Sequence, residues 1–330
     1  MLTKRQNLLE TIRGGNPDRF VNQFEPFAMI RQTPVTANNP RPVKGGPNVV
    51  NSWGITLQFP ENTPGSFPVH DEEHIVIKDI TRWQEYVHAP RMDYTAEDWA
   101  PYVAAAKQID RNEQFVTMSV SPGIFEQCHN LMKMENCLIS FYEYPDEMHA
   151  LIDYIAEWEL EYARQACAYI KPDALFHHDD WGSMISSFMS PNMFREFMVP
   201  AYKKVYGYYR EQGVEVIVHH SDSYAANLVP AMIEIGIDIW QGCATTNNVP
   251  ELIRMYGGQI SFMGNIDNGV VDRADWTREV IEREVRRACE TCGRLYFIPN
   301  TIMGGPASTY PGVYDAVTET IDMINRESNL

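Results

Sequence analysis

The stretch that decides the fold is Val214-Glu215-Val216-Ile217-Val218-His219-His220-Ser221-Asp222-Ser223. Its run of mostly β-branched apolar residues predicts a strand buried on both faces of a parallel sheet. The polar cluster then lies where the strand leaves the sheet. A similar stretch, Ala174-Leu175-Phe176-His177-His178-Asp179-Asp180-Trp181, precedes it in the chain. Two parallel strands that end in such clusters direct these side chains to one mouth, where α/β enzymes carry their active sites.

Strands and helices alternate along most of the chain, which has 330 residues. The segments predicted as strands are Val21–Phe27, Phe115–Val120, Ala174–His178, Val214–Val218, Ile237–Trp240, Ile260–Met263 and Leu295–Ile298. Helical patterns between most of them predict one (β/α)8 TIM barrel over residues 1–330. An eighth strand is expected at Glu73–Ile77 or within 135–142.

The barrel prediction divides the chain into two parts. Residues 1–110 are expected to form an amino-terminal helical and irregular extension that includes the first strand, and residues 111–330 to form regular βα units. Within the extension, segment 33–68 is rich in proline, glycine and asparagine. Because long irregular segments in compact domains are usually functional, this segment is predicted to act as a lid.

Composition narrows the class of protein. The net charge of −17 argues against nucleic acid or an anionic membrane surface as a partner. No apolar run is long enough to span a membrane, and the amino terminus lacks a signal peptide pattern. The six cysteines show no disulfide framework, so a cytoplasmic location is expected. Cys289 and Cys292 form a C-x-x-C motif without a second pair, and we assign it no metal or redox role.

Further motifs follow one another in a characteristic order. They are the Lys4-Arg5-Gln6-Asn7-Leu8-Leu9 helix, Trp53-Gly54, Pro172-Asp173-Ala174, the helix that begins at Pro191, His220-x-Asp222, Met232-Ile233-Glu234-Ile235-Gly236-Ile237-Asp238, Met263-Gly264-Asn265-Ile266-Asp267 and Pro299-Asn300-Thr301. With this order and spacing the chain resembles the uroporphyrinogen decarboxylase superfamily, and within it the corrinoid-dependent methyltransferases.

Two departures from the family patterns refine the resemblance. Porphyrinogen decarboxylases carry an arginine-rich amino-terminal segment that binds substrate carboxylates, whereas this chain has Gln23–Arg31 there. Thiol-methylating relatives carry a zinc site of the form His-x-Cys with a late cysteine. Here the first motif is His220-Ser221-Asp222, and the late position falls near Asn300 or Thr301. The chain therefore looks most like the methyltransferases of anaerobic O-demethylase systems.

That resemblance implies a reaction and a partner. A methyl group would move from a methoxylated, aromatic substrate to the cob(I)alamin of a separate corrinoid protein. Family cobalamin-binding proteins carry an Asp-x-His-x-x-Gly signature, which is absent from this sequence. Cobalamin is therefore expected to arrive on the partner. Alternatives are a decarboxylase, a methylcobalamin:thiol methyltransferase, a metal-dependent hydrolase and a binding protein that kept the barrel.

Ether cleavage requires stabilisation of a phenolate leaving group, by a proton donor or by a Lewis-acid metal. The catalytic candidates are His178, Asp179, His220 and Asp222. As zinc ligands, His178, His220 and Asp222 would form an open N/N/O site. Alternatively, Asp222 or Asp179 would orient an imidazolium that protonates the ether oxygen. Since side chains alternate along a strand, one histidine of each pair should face the cavity, and we expect His178 and His220.

Substrate contacts are predicted from polar or aromatic residues at or near strand ends. The candidates are Glu25, Trp53, Trp181, Trp240, Asn265, Asp267 and Asn300. Asn265 and Asp267 have an alternative role as caps of the next loop, and so has the Asp179-Asp180 pair. His129 and His149, on predicted helices, are expected at the surface.

Overall fold

The computed structural model describes residues 1–63 and 65–328. Its centre is a parallel sheet of seven strands that follow one another across the sheet in chain order. They are β1 (Phe27–Ile30), β5 (Phe115–Val120), β6 (Ala174–His178), β7 (Val216–His220), β8 (Ile239–Cys243), β9 (Ser261–Ile266) and β10 (Phe297–Thr301). A small antiparallel sheet contains β2 (Val49–Val50), β3 (Thr56–Gln58) and β4 (Phe67–Pro68).

Helices connect the strands and cover the outer face of the sheet. They are α1 (Lys4–Ile12), α2 (Pro34–Ala37), α3 (Ala96–Ala106), α4 (Ile124–Met132), α5 (Met134–Glu143), α6 (Pro145–Tyr169), α7 (Pro191–Phe197), α8 (Val199–Glu211), α9 (Val229–Ile235), α10 (Val249–Tyr256), α11 (Asn268–Val271), α12 (Arg278–Cys292) and α13 (Val313–Glu327). The 3₁₀ segments are Ile80–Glu85, Ala226–Leu228, Thr245–Asn247 and Pro306–Ser308. The predicted bounds of α6 and α10 agree with the structure. No helix of the described chain is both long and apolar enough to cross a bilayer.

The expected complete (β/α)8 barrel is not confirmed. Within the described residues the sheet has seven strands, and β1 and β10 are its two edges. Neither location proposed for the eighth strand forms one: residues 135–142 lie inside α5, and Val76 and Ile77 donate backbone hydrogen bonds to Leu131 without joining a sheet. The chain is therefore an α/β protein with seven βα-type strands.

Side chains bridge the two edges of the sheet. The Asn300 amide at the end of β10 donates to Gln23 Oε1 at 3.2 Å, and the Gln23 amide donates to Thr318 Oγ1 of α13 at 2.8 Å. The backbone amide of Phe20 donates to Asn325 Oδ1 at 2.8 Å. Residues that precede β1 are thus joined to β10 and α13 by side-chain hydrogen bonds, and the first strand begins at Phe27, not at Val21 as predicted.

Alternation along the strands separates two cores. Alternate residues of neighbouring strands, among them Phe176, Val216 and Val218, pack with Leu8 of α1 into an inner cluster. The other set packs against the helices in a larger outer cluster. In the register of β6 and β7, His178 pairs with His220 and His177 with His219. His178 and His220 therefore continue the inner columns beyond the apolar core, and the other two histidines belong to the outer layer.

Candidate active site

A cleft of about 620 Å³ lies at the carboxyl edge of the sheet. His178 and His220 both line it, with their rings stacked and their centroids 4.3 Å apart. Residues of segment 33–68, including Leu57 and Phe67, form another part of its wall. The segment predicted as a lid therefore contributes to the same cavity as the strand-end histidines.

The imidazole of His178 is oriented by the first turn of α4. Its Nδ1 lies 2.9 Å from Glu126 Oε2 and donates a hydrogen bond to that carboxylate. This contact leaves Nε2 free to face the cleft. Burial lowers the pKa of His178, but the Glu126 carboxylate and nearby Asp180 outweigh this effect and raise the pKa to about 10.

The imidazole of His220 is oriented by a chain of amides. Gln241 donates from Nε2 to Asn300 Oδ1 at 2.8 Å and approaches two backbone carbonyls, so its Oε1 must be the atom that faces His220. That oxygen accepts a hydrogen bond from His220 Nδ1. The Nε2 of His220 is thereby left with a lone pair directed to the cleft. Burial, with the positive charge of His178, lowers the pKa of His220 to about 4.

A carboxylate completes a group of candidate metal ligands. Ligand atoms of His178, Asp180 and His220 all lie within 4.8 Å of one another. Asp180 Oδ1 lies 3.8 Å from His220 Nε2 and accepts a hydrogen bond from the Asp222 backbone amide at 3.1 Å. The predicted ligand Asp222 lines the cleft but is outside this group. Burial and the charge of Asp180 raise the pKa of Asp222 to about 7.

These features give the cleft two chemical capabilities. Imidazoles whose Nδ1–H groups are held by acceptors present Nε2 to a metal, the arrangement that outer hydrogen bonds impose in metal sites. In the absence of a metal, the raised pKa keeps His178 protonated at neutral pH, and its Nε2–H is a hydrogen-bond donor. His220, with a lowered pKa, is then a neutral acceptor.

The neighbouring histidines belong to a buried layer behind the site. His177 Nε2 lies 2.9 Å from Glu159 Oε2, and both side chains are almost completely inaccessible. His219 Nδ1 lies 2.7 Å from the Tyr206 hydroxyl. This is the division of roles that alternation along the strands predicts.

Asp179, proposed as a catalytic residue, does not line the cleft. It is fully buried and accepts hydrogen bonds from the backbone amides of Phe125 and Glu126 at 3.0 and 2.7 Å. It also accepts hydrogen bonds from Trp181 Nε1 and the Tyr202 hydroxyl. It caps the start of α4, a helix that precedes it in the chain, whereas the alternative prediction placed the cap at the turn after its own strand. Its hydrogen bond with the Glu126 backbone amide connects it to the residue that orients His178.

Three of the predicted substrate contacts are corrected by burial or position. Trp181 and Trp240 have no exposed surface, and their indole N–H groups donate to Asp179 and to the Ser221 carbonyl. Both pack between strands and helices. Glu25 precedes β1, so it lies at the amino edge of the sheet, opposite the cleft. The strand prediction that placed it beside the histidines began too early.

The remaining predicted contacts have structural partners. Trp53 packs edge-on against Trp158 at 5.2 Å, in the wall of a separate cavity of about 370 Å³. Asp267 caps α11, as its alternative prediction expected, whereas Asn265 donates to Cys292 Sγ at 3.1 Å. Asn300 is the exception, because through Gln241 it contributes to the orientation of His220.

Sequence reasoning missed several residues of the site. Glu126 and Gln241 hold the two imidazoles, and Asp180 joins them in the ligand group. His129, expected at the surface, lines the cleft, and burial lowers its pKa to about 4. A positional signal was available for Glu126, since it lies in the first turn after a strand of the parallel sheet.

Comparisons with known proteins found a family match and similar solved structures. The family profile of uroporphyrinogen decarboxylase (URO-D) matches residues 49–323. A methyltransferase from Methanosarcina mazei is structurally similar, with a TM-score of 0.65, 15% identity and coverage of 98% of this chain and 99% of that chain. A B12-independent methionine synthase from Shewanella sp. W3-18-1 has a TM-score of 0.48 and 15% identity, over 77% of this chain and 74% of that chain. No curated protein sequence matches the chain.

Proposed function

The chain belongs to the uroporphyrinogen decarboxylase family, and from that premise we propose that it is a corrinoid-dependent methyltransferase. It would move a methyl group from a methoxylated aromatic substrate to the cob(I)alamin of a separate corrinoid protein. The observation that carries this proposal is the pair of oriented imidazoles, His178 and His220, beside Asp180 in an open cleft. Such a group can stabilise the oxygen from which the methyl group departs.

The cleft residues fit a zinc ion. His178 and His220 would supply Nε2 atoms, and Asp180 would supply a carboxylate oxygen. Glu126 and Gln241 hold the Nδ1–H groups, as outer-shell partners of zinc ligands do. When bound, zinc would supply Lewis acidity toward the ether oxygen.

The chain's own residues also offer a route by proton donation. His178 has a raised pKa and is a cation at neutral pH in the metal-free protein, so its Nε2–H can donate to the departing oxygen. Glu126 orients this donor and balances its charge. Activity that survives complete zinc removal would favour this route over a metal.

The lining of the cleft argues against two alternatives. A porphyrinogen carries several carboxylates, and a site for it requires several cationic groups. Arg41 is the only arginine or lysine among the described residues that line the cleft. A thiol methyltransferase would use thiolate ligands, yet no cysteine in the described lining faces this cleft.

The test is anaerobic incubation of the purified chain with a reduced corrinoid protein and a panel of methoxyarenes. We expect the methylcobalamin spectrum to form only when all three components are present. His178→Ala and His220→Ala should abolish the signal, because each removes one Nε2 from the cleft. His149→Ala is the matched control, since that histidine is partly exposed and contacts Glu196 on the surface.

Other outcomes would contradict the proposal in distinct ways. Release of carbon dioxide from a carboxylated substrate would indicate a decarboxylase, and ester or amide turnover would indicate a hydrolase. Demethylation by the isolated chain, or a purified chain that is red with bound cobalamin, would exclude the proposed division between two proteins.

A further inference from the structure

Four side chains that line the cleft have N–H groups without a hydrogen-bond partner among the described residues. Asn39, Arg41 and Asn51 come from segment 33–68, and Gln127 comes from α4. The same four residues also line a smaller adjoining cavity of about 40 Å³. Gln127 is distant in sequence from the other three, so the tertiary structure brings it to them.

The two asparagines are fixed as donors. Asn39 Oδ1 accepts from the backbone amide of Ser52 at 3.0 Å. Asn51 Oδ1 accepts from the backbone amides of Trp53 and Ile55 at 2.9 and 3.0 Å. A backbone N–H can pair only with the oxygen of an asparagine side chain, because the side-chain nitrogen is itself a donor. The NH₂ groups of Asn39 and Asn51 are therefore the ends that remain available to donate. No acceptor in the described chain takes a hydrogen bond from either NH₂ group.

Gln127 is the buried member of the set. Its side chain is 3% exposed, and its Nε2 has no hydrogen-bond partner. Leaving a buried amide N–H unpaired is unfavourable, so such groups in native proteins usually face a ligand, a water or an ion. Gln127 belongs to the lining of both the cleft and the adjoining cavity, so its unpaired amide lies in the wall that also contains Arg41.

Arg41 supplies the positive charge. No ion pair joins its guanidinium to an acidic residue of the described chain, although the cleft also contains Glu126, Asp180 and Asp222. The carboxylate in the adjoining cavity, Glu159, already holds His177 at 2.9 Å. An unpaired arginine and free amide donors in one cavity wall supply the N–H groups that a carboxylate accepts.

We propose that Arg41, Gln127, Asn39 and Asn51 bind a carboxylate of the substrate, so that the methyl donor is a methoxylated aromatic acid. The inference rests on the proposed function for the reaction, but the carboxylate site itself does not depend on turnover. A single arginine suits one carboxylate, in contrast to the several that a porphyrinogen carries.

The experiment measures binding by isothermal titration calorimetry with 4-methoxybenzoate and its neutral isostere 4-methoxybenzamide. We expect the acid to bind at least about tenfold more tightly than the amide, the lower range for a charge-assisted hydrogen bond. Arg41→Gln should weaken binding of the acid by about tenfold to a hundredfold and leave the amide unchanged. Arg41→Lys should recover part of the loss, and Gln127→Leu should weaken the acid by a few-fold, about 3 to 10.

Controls separate this site from the metal ligands and from the proposed reaction. Arg82→Gln is the matched control, because that arginine is paired with Glu85 away from the cleft. Each titration is repeated with a chelator, since a carboxylate can also bind zinc. The inference would be overturned if the preference for the acid disappeared with the chelator and survived in Arg41→Gln, because the acid would then bind the metal. Equal binding of acid and amide, or no binding of either, would also overturn it. Binding of the acid without methyl transfer would refute the proposed function and leave the carboxylate site standing.

Discussion

Replacing Gln241 by leucine tests whether the amide chain behind His220 controls metal binding. Gln241 is completely buried, and its two ends connect His220 Nδ1 with Asn300 Oδ1. Leucine has a similar size but no polar atoms, so both partners would lose their hydrogen bonds inside the protein. At about 1 to 3 kcal/mol for each unpaired buried group, Gln241→Leu should lower the free energy of unfolding by about 2 to 6 kcal/mol.

The same substitution should weaken zinc binding. Without an acceptor at Nδ1, the imidazole of His220 is free to rotate or to change its tautomer, and loss of such outer-shell partners typically lowers metal affinity by about 10- to 100-fold. Gln241→Glu is the matched variant, because it keeps an oxygen that faces His220. Gln241→Glu loses only the donor to Asn300, so we expect it to bind zinc more tightly than Gln241→Leu.

The assay is zinc competition with a chromophoric chelator, accompanied by urea unfolding of the metal-free proteins. The reasoning requires that Gln241→Leu loses both stability and zinc affinity, whereas Gln241→Glu binds zinc more tightly than Gln241→Leu. If Gln241→Leu unfolds more easily but binds zinc as tightly as the native protein, the amide chain does not orient a metal ligand. If the native protein and Gln241→Leu both fail to bind zinc, the assignment of a metal to this site is wrong.

Three further predictions follow from the same geometry. Asp180→Ala should lose bound zinc on dialysis, whereas Asp222→Ala should retain it. Metal analysis of the two purified variants measures this difference. The opposite result would make Asp222 the ligand. In the metal-free protein the raised pKa of His178 adds stability that is complete below pH 6.5 and is lost as the pH rises towards about 10. Urea unfolding across this range should therefore show a smaller decline in Glu126→Gln, and equal declines would contradict the ion pair. Glu159→Ala leaves the buried His177 without an acceptor and should destabilise the fold by about 3 to 5 kcal/mol. Thermal unfolding measures this effect, and an unchanged melting temperature would contradict it.

Local patterns in the sequence determined most strands of the parallel sheet, several helices, and the sheet edge at which the candidate site lies. The apolar runs before His178 and His220 predicted two adjacent buried strands, and the structure pairs these residues in register. Alternation along a strand is a property of the backbone, so it also indicated which histidine of each pair faces the cavity. The helix at Pro145–Tyr169 was predictable for the same reason, since its periodicity is local.

The tertiary structure alone decided the partners of these histidines. Glu126 and Gln241 are far from them in sequence, and each meets its imidazole because two strands of the sheet end at the same edge. The choice between Asp180 and Asp222 depended on the turns after the strands, where side chains no longer alternate. Arg41 comes from an irregular segment whose path has no periodic signal. Periodicity is a property of residues that are close in sequence. Hydrogen bonds between loops and distant strands depend on how the whole chain packs, which a short stretch of sequence does not determine.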